Sequence, residues 1–77
     1  MLFLIEYARD EGRIVCFKTF TDHDSTTAEN TRLELELSLN RRGIEHEVVL
    51  LEAQNEQALR RTHRRYFENL SELVHVS

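Results

Sequence analysis

Apolar positions along the chain fall into two strand-like runs, a capped helical stretch, a third strand-like run and a second helical stretch. Leu2 to Ala8 is apolar and aromatic, Ile14 to Phe20 is β-branched and aromatic, and Asp10-Glu11-Gly12 lies between them. Two such runs around a short Gly-containing turn predict a β-hairpin. Asp22-His23-Asp24-Ser25-Thr26 then gathers helix-capping residues, and Thr26 with Glu29 fits the capping-box spacing. Asn40-Arg41-Arg42-Gly43 has the make-up of a helix end, with cations in the last turn and Gly just beyond. The interval Thr27 to Arg42 therefore reads as a helix about 24 Å long.

Inside that interval a second periodicity competes. Leu33, Leu35, Leu37 and Leu39 alternate with Glu34, Glu36 and Ser38, which is a strand pattern. Against it stand the helix propensity of Leu, Glu and Arg, the lack of a β-branched residue after Thr31, and caps at both ends. The helix is the expectation. Ile44 to Glu52, centred on Val48-Val49-Leu50-Leu51, predicts a strand buried on both faces. Ala53-Gln54-Asn55 opens a second helix running to about Phe67 or Glu68, with Ala58, Leu59, Thr62, Tyr66 and Leu70 on one face. Leu73-Val74-His75-Val76 fits either a short last strand or a tail.

The order β-β-α-β-α(-β) predicts an α+β fold: a two-layer α/β sandwich in which a small sheet carries both helices on one face. Each β-α-β step would be a right-handed crossover. Residues 1–77 would form a single small globular domain. Counting apolar faces then points to self-association. On the first helix Ala28, Leu35 and Leu39 cluster within about 40°, while Leu33 and Leu37 form a second patch about 160° away. In the strands Leu2 and Leu4 oppose Phe3, Ile5 and Tyr7, and Val15 and Phe17 oppose Ile14, Cys16 and Phe20. Two helices on one side cover one sheet face, leaving an apolar surface that soluble monomers seldom expose. The expectation is a two-fold homodimer, built sheet against sheet through Val15 and Phe17 or through Leu33 and Leu37. A curled sheet covered by loop and C-terminal residues is the alternative.

Charge and composition narrow the setting. The longest apolar run, Met1 to Ile5, is far short of the roughly 20 residues that span a bilayer, and it lacks the length and basic flank of a secretory signal. The single Cys16 cannot close an intrachain disulfide, which fits a reducing compartment. A bacterial cytoplasmic protein, with no membrane contact, is expected. The net charge is −4, yet residues 41–65 hold six Arg against four Glu. A local basic region on an acidic protein weakens a general nucleic-acid reading.

Few residues invite chemistry. Asp22-His23-Asp24 brings two carboxylates and an imidazole together, but capping carboxylates beside a solvated His describe them better than a metal site. Cys16 lies mid-strand, where a buried thiol is commoner than a nucleophile. His46 shares a strand face with Ile44, Val48 and Leu50, and His63 borders the apolar face of the second helix. Either is placed to act as a general base, though no motif ties a nucleophile or carboxylate to it. Arg60, Arg61, Arg64 and Arg65 fall in one arc of about 140° opposite the apolar face, able to grip phosphates or an acidic partner, with His63 beside them. The counter-reading is a solvated face, because Glu56–Arg60 and Arg64–Glu68 are favourable i,i+4 pairs. No phosphate loop, CxxC or hydrolase triad is present. No cofactor, no metal and no catalytic residue is assigned.

Arg41-Arg42-Gly43-Ile44, Glu47-Val48-Val49-Leu50-Leu51-Glu52-Ala53 and Ala58-Leu59-Arg60-Arg61-Thr62-His63-Arg64-Arg65-Tyr66-Phe67 together resemble short bacterial proteins that begin with a Phe/Leu-rich strand and end in an Arg-His helix. The resemblance implies a stand-alone small protein and brings no activity with it. The function expected is a small protein-binding or regulatory module acting as a homodimer. A small enzyme or ligand-binding subunit using His46 or His63 is the first alternative, and a nucleic-acid accessory protein using the Arg-rich helix the second.

Overall fold

The hairpin forms as the pattern predicts and supplies the centre of the sheet. In the computed structural model, which describes residues 1–68, β1 (Leu2–Ala8) and β2 (Arg13–Phe20) pair antiparallel around a turn at 9–12. Gly12 closes that turn at φ +63°, a left-handed backbone that favours glycine, and its N–H donates to the Ala8 carbonyl at 2.8 Å. A 3-10 turn, Asp22–Asp24, leads into α1 (Ser25–Arg42), so residues 33–39 are helical. β3 (Glu47–Glu52) pairs antiparallel with the other edge of β1, giving the order β2-β1-β3. α2 (Glu56–Thr62) and a 3-10 turn at Arg64–Tyr66 follow. Three antiparallel strands and two helices make a small α+β fold. The Leu73 to Val76 stretch lies outside the described residues.

The helix ends are only half as the sequence predicts. At the C-terminal end of α1, Gly43 takes φ +68°, its N–H donates to Asn40, and the Ile44 N–H donates to Leu39 at 2.9 Å. That is a full Schellman motif. At the N-terminal end the capping box is not made: α1 starts at Ser25, and the Asp24 side chain accepts from the Thr21 hydroxyl instead. α2 is capped by Asn55, whose side chain accepts from the Ala58 N–H at 2.8 Å. It stops at Thr62, well before Phe67, because His63 leaves helical geometry at φ −122°, ψ 51°.

The placement of the helices corrects the expectation of both on one face. Phe3, Ile5 and Tyr7 of β1 form one buried cluster with Leu59 and Tyr66, packed by Val49 and Leu51 of β3. Leu4, Ala28 and Leu39 are buried outside that cluster, and Leu39 shares a depression with Ile44, His46 and Val48. Strand side chains alternate between faces, and Leu4 pairs with Leu50 while Ile5 pairs with Val49. So α2 covers the odd-numbered face of β1 and α1 the even-numbered one. Only β2–α1–β3 joins two parallel strands and is bound by the crossover rule. α2 follows a strand without crossing to another described one, and its side is set by where Leu59 finds apolar partners.

A bulge corrects the strand alternation. The ladder pairs Glu6 with Cys16 but Tyr7 with Ile14, leaving Val15 as the extra residue of β2. Ile14 and Phe17 therefore both pack toward the α2 side, whereas Val15 is 42% exposed. Phe17 lies against Phe3 and Phe67, with ring centroids 5.8 and 6.0 Å away.

Because Leu59 is fully buried beneath α2 among Phe3, Ile5 and Tyr7, its truncation to Ala should cost about 2–4 kcal/mol. Urea unfolding followed by circular dichroism measures this. A loss below about 1 kcal/mol would contradict the packing given for α2.

Candidate functional site

Two groups of polar side chains converge where β1 ends and β3 begins. On the α1 side, Glu6 carries the one charged side chain that is buried among the described residues. It stands mid-strand in β1, with Val48 directly across the ladder. A carboxylate so placed requires a partner. His46, two residues before Val48 and on the same face, supplies it: its Nδ1 lies 2.6 Å from Glu6 Oε2. With Nδ1 committed, Nε2 is the nitrogen left for other chemistry. The imidazole lines two shallow depressions, one with Glu36, Leu39, Asn40, Ile44 and Val48, the other with Arg9, Asp10, Glu45 and Glu47. An imidazole oriented by a buried carboxylate can accept or donate a proton at its outer nitrogen.

On the α2 side, Glu47 is the hub. Arg9 Nε donates to its Oε1 at 3.0 Å, Arg65 donates to Oε2 at 2.6 Å, and the Tyr66 hydroxyl donates to the same oxygen. The Arg65 guanidinium also stacks over the Tyr66 ring, 4.3 Å from its centroid. Tyr66 in turn meets Tyr7 edge-on at 5.2 Å. The Tyr66 hydroxyl bond, more than the neighbouring guanidinium groups, holds the Glu47 carboxyl below the usual range although burial opposes this. Burial first, and then the Glu47 carboxylate, push the Tyr66 hydroxyl above its ordinary value. This cluster ties the turn after β1 and the segment after α2 to the start of β3.

The break in α2 divides the Arg group that the sequence places in one arc. Arg65 turns toward Glu47, whereas Arg60, Arg61 and Arg64 line a separate open depression with Gln57. His63 is half-buried at the end of α2, with its ring 6.5 Å from that of Tyr66. Asp22 is engaged by the N-terminal amine at 2.8 Å. Cys16 is half-buried opposite Glu6. Leu33 and Leu37 are 51% and 52% exposed on the outer surface of α1. Sequence reasoning picked out His46 but missed Glu6, Glu47 and Arg9. The signal for Glu6 was available: one carboxylate within a seven-residue strand that is otherwise apolar or aromatic.

Glu47 sets an acid limb of stability. Its folded pKa is lowered, so its contribution is present above the unfolded value of about 4.3 and fades as pH falls through the folded one. Glu47→Gln should therefore be less stable than wild type at neutral pH and should lose less on acidification. Urea midpoints from neutral pH down into the acid range measure it. Parallel losses in the two proteins would contradict the assignment.

No family model matches the chain, and neither a curated protein nor a solved structure does.

Proposed function

We propose that this chain is a small protein-binding module that works as a homodimer through the outer surface of α1. The observation that carries the reading is the pair Leu33 and Leu37, one helical turn apart and half-exposed at the middle of a helix whose other side already rests on the sheet. A surface helix of a monomer needs one apolar stripe, and this one has two. A second copy is the occupant that the charges favour. Glu29 lies one turn before Leu33 on this outer surface, and Arg41 lies one turn after Leu37 in the last turn of α1. Antiparallel pairing about a two-fold axis sets Leu33 against the partner's Leu37 and brings ends of opposite charge and opposite helix dipole together. The sheet-face route has less to offer, since Phe17 already has partners within the chain. Two half-exposed leucines form a small apolar centre, so association is expected in the micromolar range rather than tighter.

Sedimentation equilibrium tests the reading. The expected result is a reversible shift from the 9.2 kDa chain mass toward twice that value as concentration rises. Leu37→Glu should keep the fold by circular dichroism and remain monomeric throughout. A wild-type monomer at every concentration would remove the proposal.

The Glu6–His46 geometry supports a second reading, a ligand-binding or catalytic subunit acting through His46 Nε2. Here Glu6→Gln should alter the reactivity of His46 toward an acylating reagent such as diethyl pyrocarbonate far more than that of His23. Equal rates in wild type and variant would weigh against a site at His46.

A further inference from the structure

We infer that the depression lined by Gln57, Arg60, Arg61 and Arg64 is a second interaction surface, and that its ligand is a short acidic peptide segment of a partner protein. Three guanidinium groups open onto one concave patch of about 380 Å³. Two of them already have a carboxylate partner within the chain. Arg60 stacks over the Phe67 ring at 4.5 Å and its Nε donates to Glu56 at 3.1 Å, while Arg64 is tied to Glu68 at 3.0 Å. Arg61, exposed between them, has no carboxylate partner among the described residues. The paired groups keep donors to spare, because a guanidinium offers five N–H bonds and the contact of Arg60 uses Nε. Arg61, with no such pair among the described residues, offers its whole fork to a planar carboxylate, which guanidinium recognises in a bidentate geometry.

The departure of Arg65 is what defines the patch. An unbroken helix through Phe67 would spread four Arg along one ridge. The break after Thr62 leaves three around a hollow and commits the fourth to Glu47.

Charge and the lack of open aromatic faces select the ligand. Carboxylates suit three Arg, but a long polyanion would meet a protein of net charge −4. Single-stranded nucleic acid also needs open aromatic faces for base stacking. Among the described residues near the patch, Tyr66 is buried and the Phe67 ring is covered by Arg60. A short acidic segment satisfies both conditions.

Fluorescence anisotropy with a labelled oligoglutamate, an oligoglutamine of the same length and an oligothymidylate tests the inference. The oligoglutamate should bind at low salt, weaken as salt rises, and exceed both other probes. Arg61→Glu should lower that affinity by about tenfold. Lys18→Glu, the same charge reversal on β2 and away from the patch, should leave it within about twofold. On wild-type protein, amide shifts caused by oligoglutamate should centre on Gln57, Arg60, Arg61 and Arg64. Any of four results would overturn the inference: no oligoglutamate binding at low salt, equal or tighter oligothymidylate binding, equal losses in the two variants, or shifts centred elsewhere.

Discussion

β1 has no solvent side. Residues Phe3 to Ala8 are all buried, with apolar or aromatic side chains on both faces of the strand. A strand of that kind must lie between two others and beneath cover on both sides. The flanking strands satisfy its backbone, and one helix is required for each face. This explains why α2 does not join α1: Phe3, Ile5 and Tyr7 would otherwise face water. It also explains why so short a helix suffices, because Leu59, fully buried, and Tyr66 together cap the apolar centre that β1 presents.

Much of this was legible in the residues. The hairpin, the α1 C-terminal cap at Gly43 and the presence of a third strand were read from turn chemistry and β-branched runs, but that strand starts at Glu47 and is a half-buried edge of the sheet, not a strand buried on both faces. Helix prevailed at Leu33 to Leu39, where local propensity and the Gly43 cap outweighed an alternating pattern. Three features lay beyond single-sequence reasoning, each for a physical reason. The bulge at Val15 inserts one residue, which exchanges the faces of everything before it, and composition does not mark such a site. The side taken by α2 is free of the crossover rule, since no described strand follows it, and is set by where Leu59 finds apolar partners. The end of α2 at Thr62 follows from tertiary contacts of Tyr66 with Tyr7 and Glu47, which override the helical propensity of the Arg-rich stretch.

The polar network was the least legible part, because its members are far apart in the chain. Glu6 meets His46 across 40 positions and Arg9 meets Glu47 across 38. These contacts differ in kind from the surface pairs. Arg13–Glu11 and Arg60–Glu56 join side chains that are each more than half exposed, where a pair contributes about 0–1 kcal/mol. Glu6 and Glu47 are 8% and 14% exposed. There the loss of a partner leaves a carboxylate poorly solvated, so the contact fixes geometry more firmly than it adds net stability.

The two-sided cover of β1 also determines how the two proposed surfaces relate. The Leu33–Leu37 patch faces outward from one side of the sheet, and the Arg60–Arg61–Arg64 hollow lies with α2 on the other. Occupying one therefore does not block the other. In a dimer joined through α1 the layers would run α2, sheet, α1, α1, sheet, α2, with an Arg hollow at each end. Such an arrangement presents two identical basic sites facing apart. It would bridge two acidic segments more readily than it would hold both ends of a short one, since a linker must span the whole stack before the second site gains from the first. A weak contact at each hollow would then suit a role in bringing partners together rather than in gripping a single ligand.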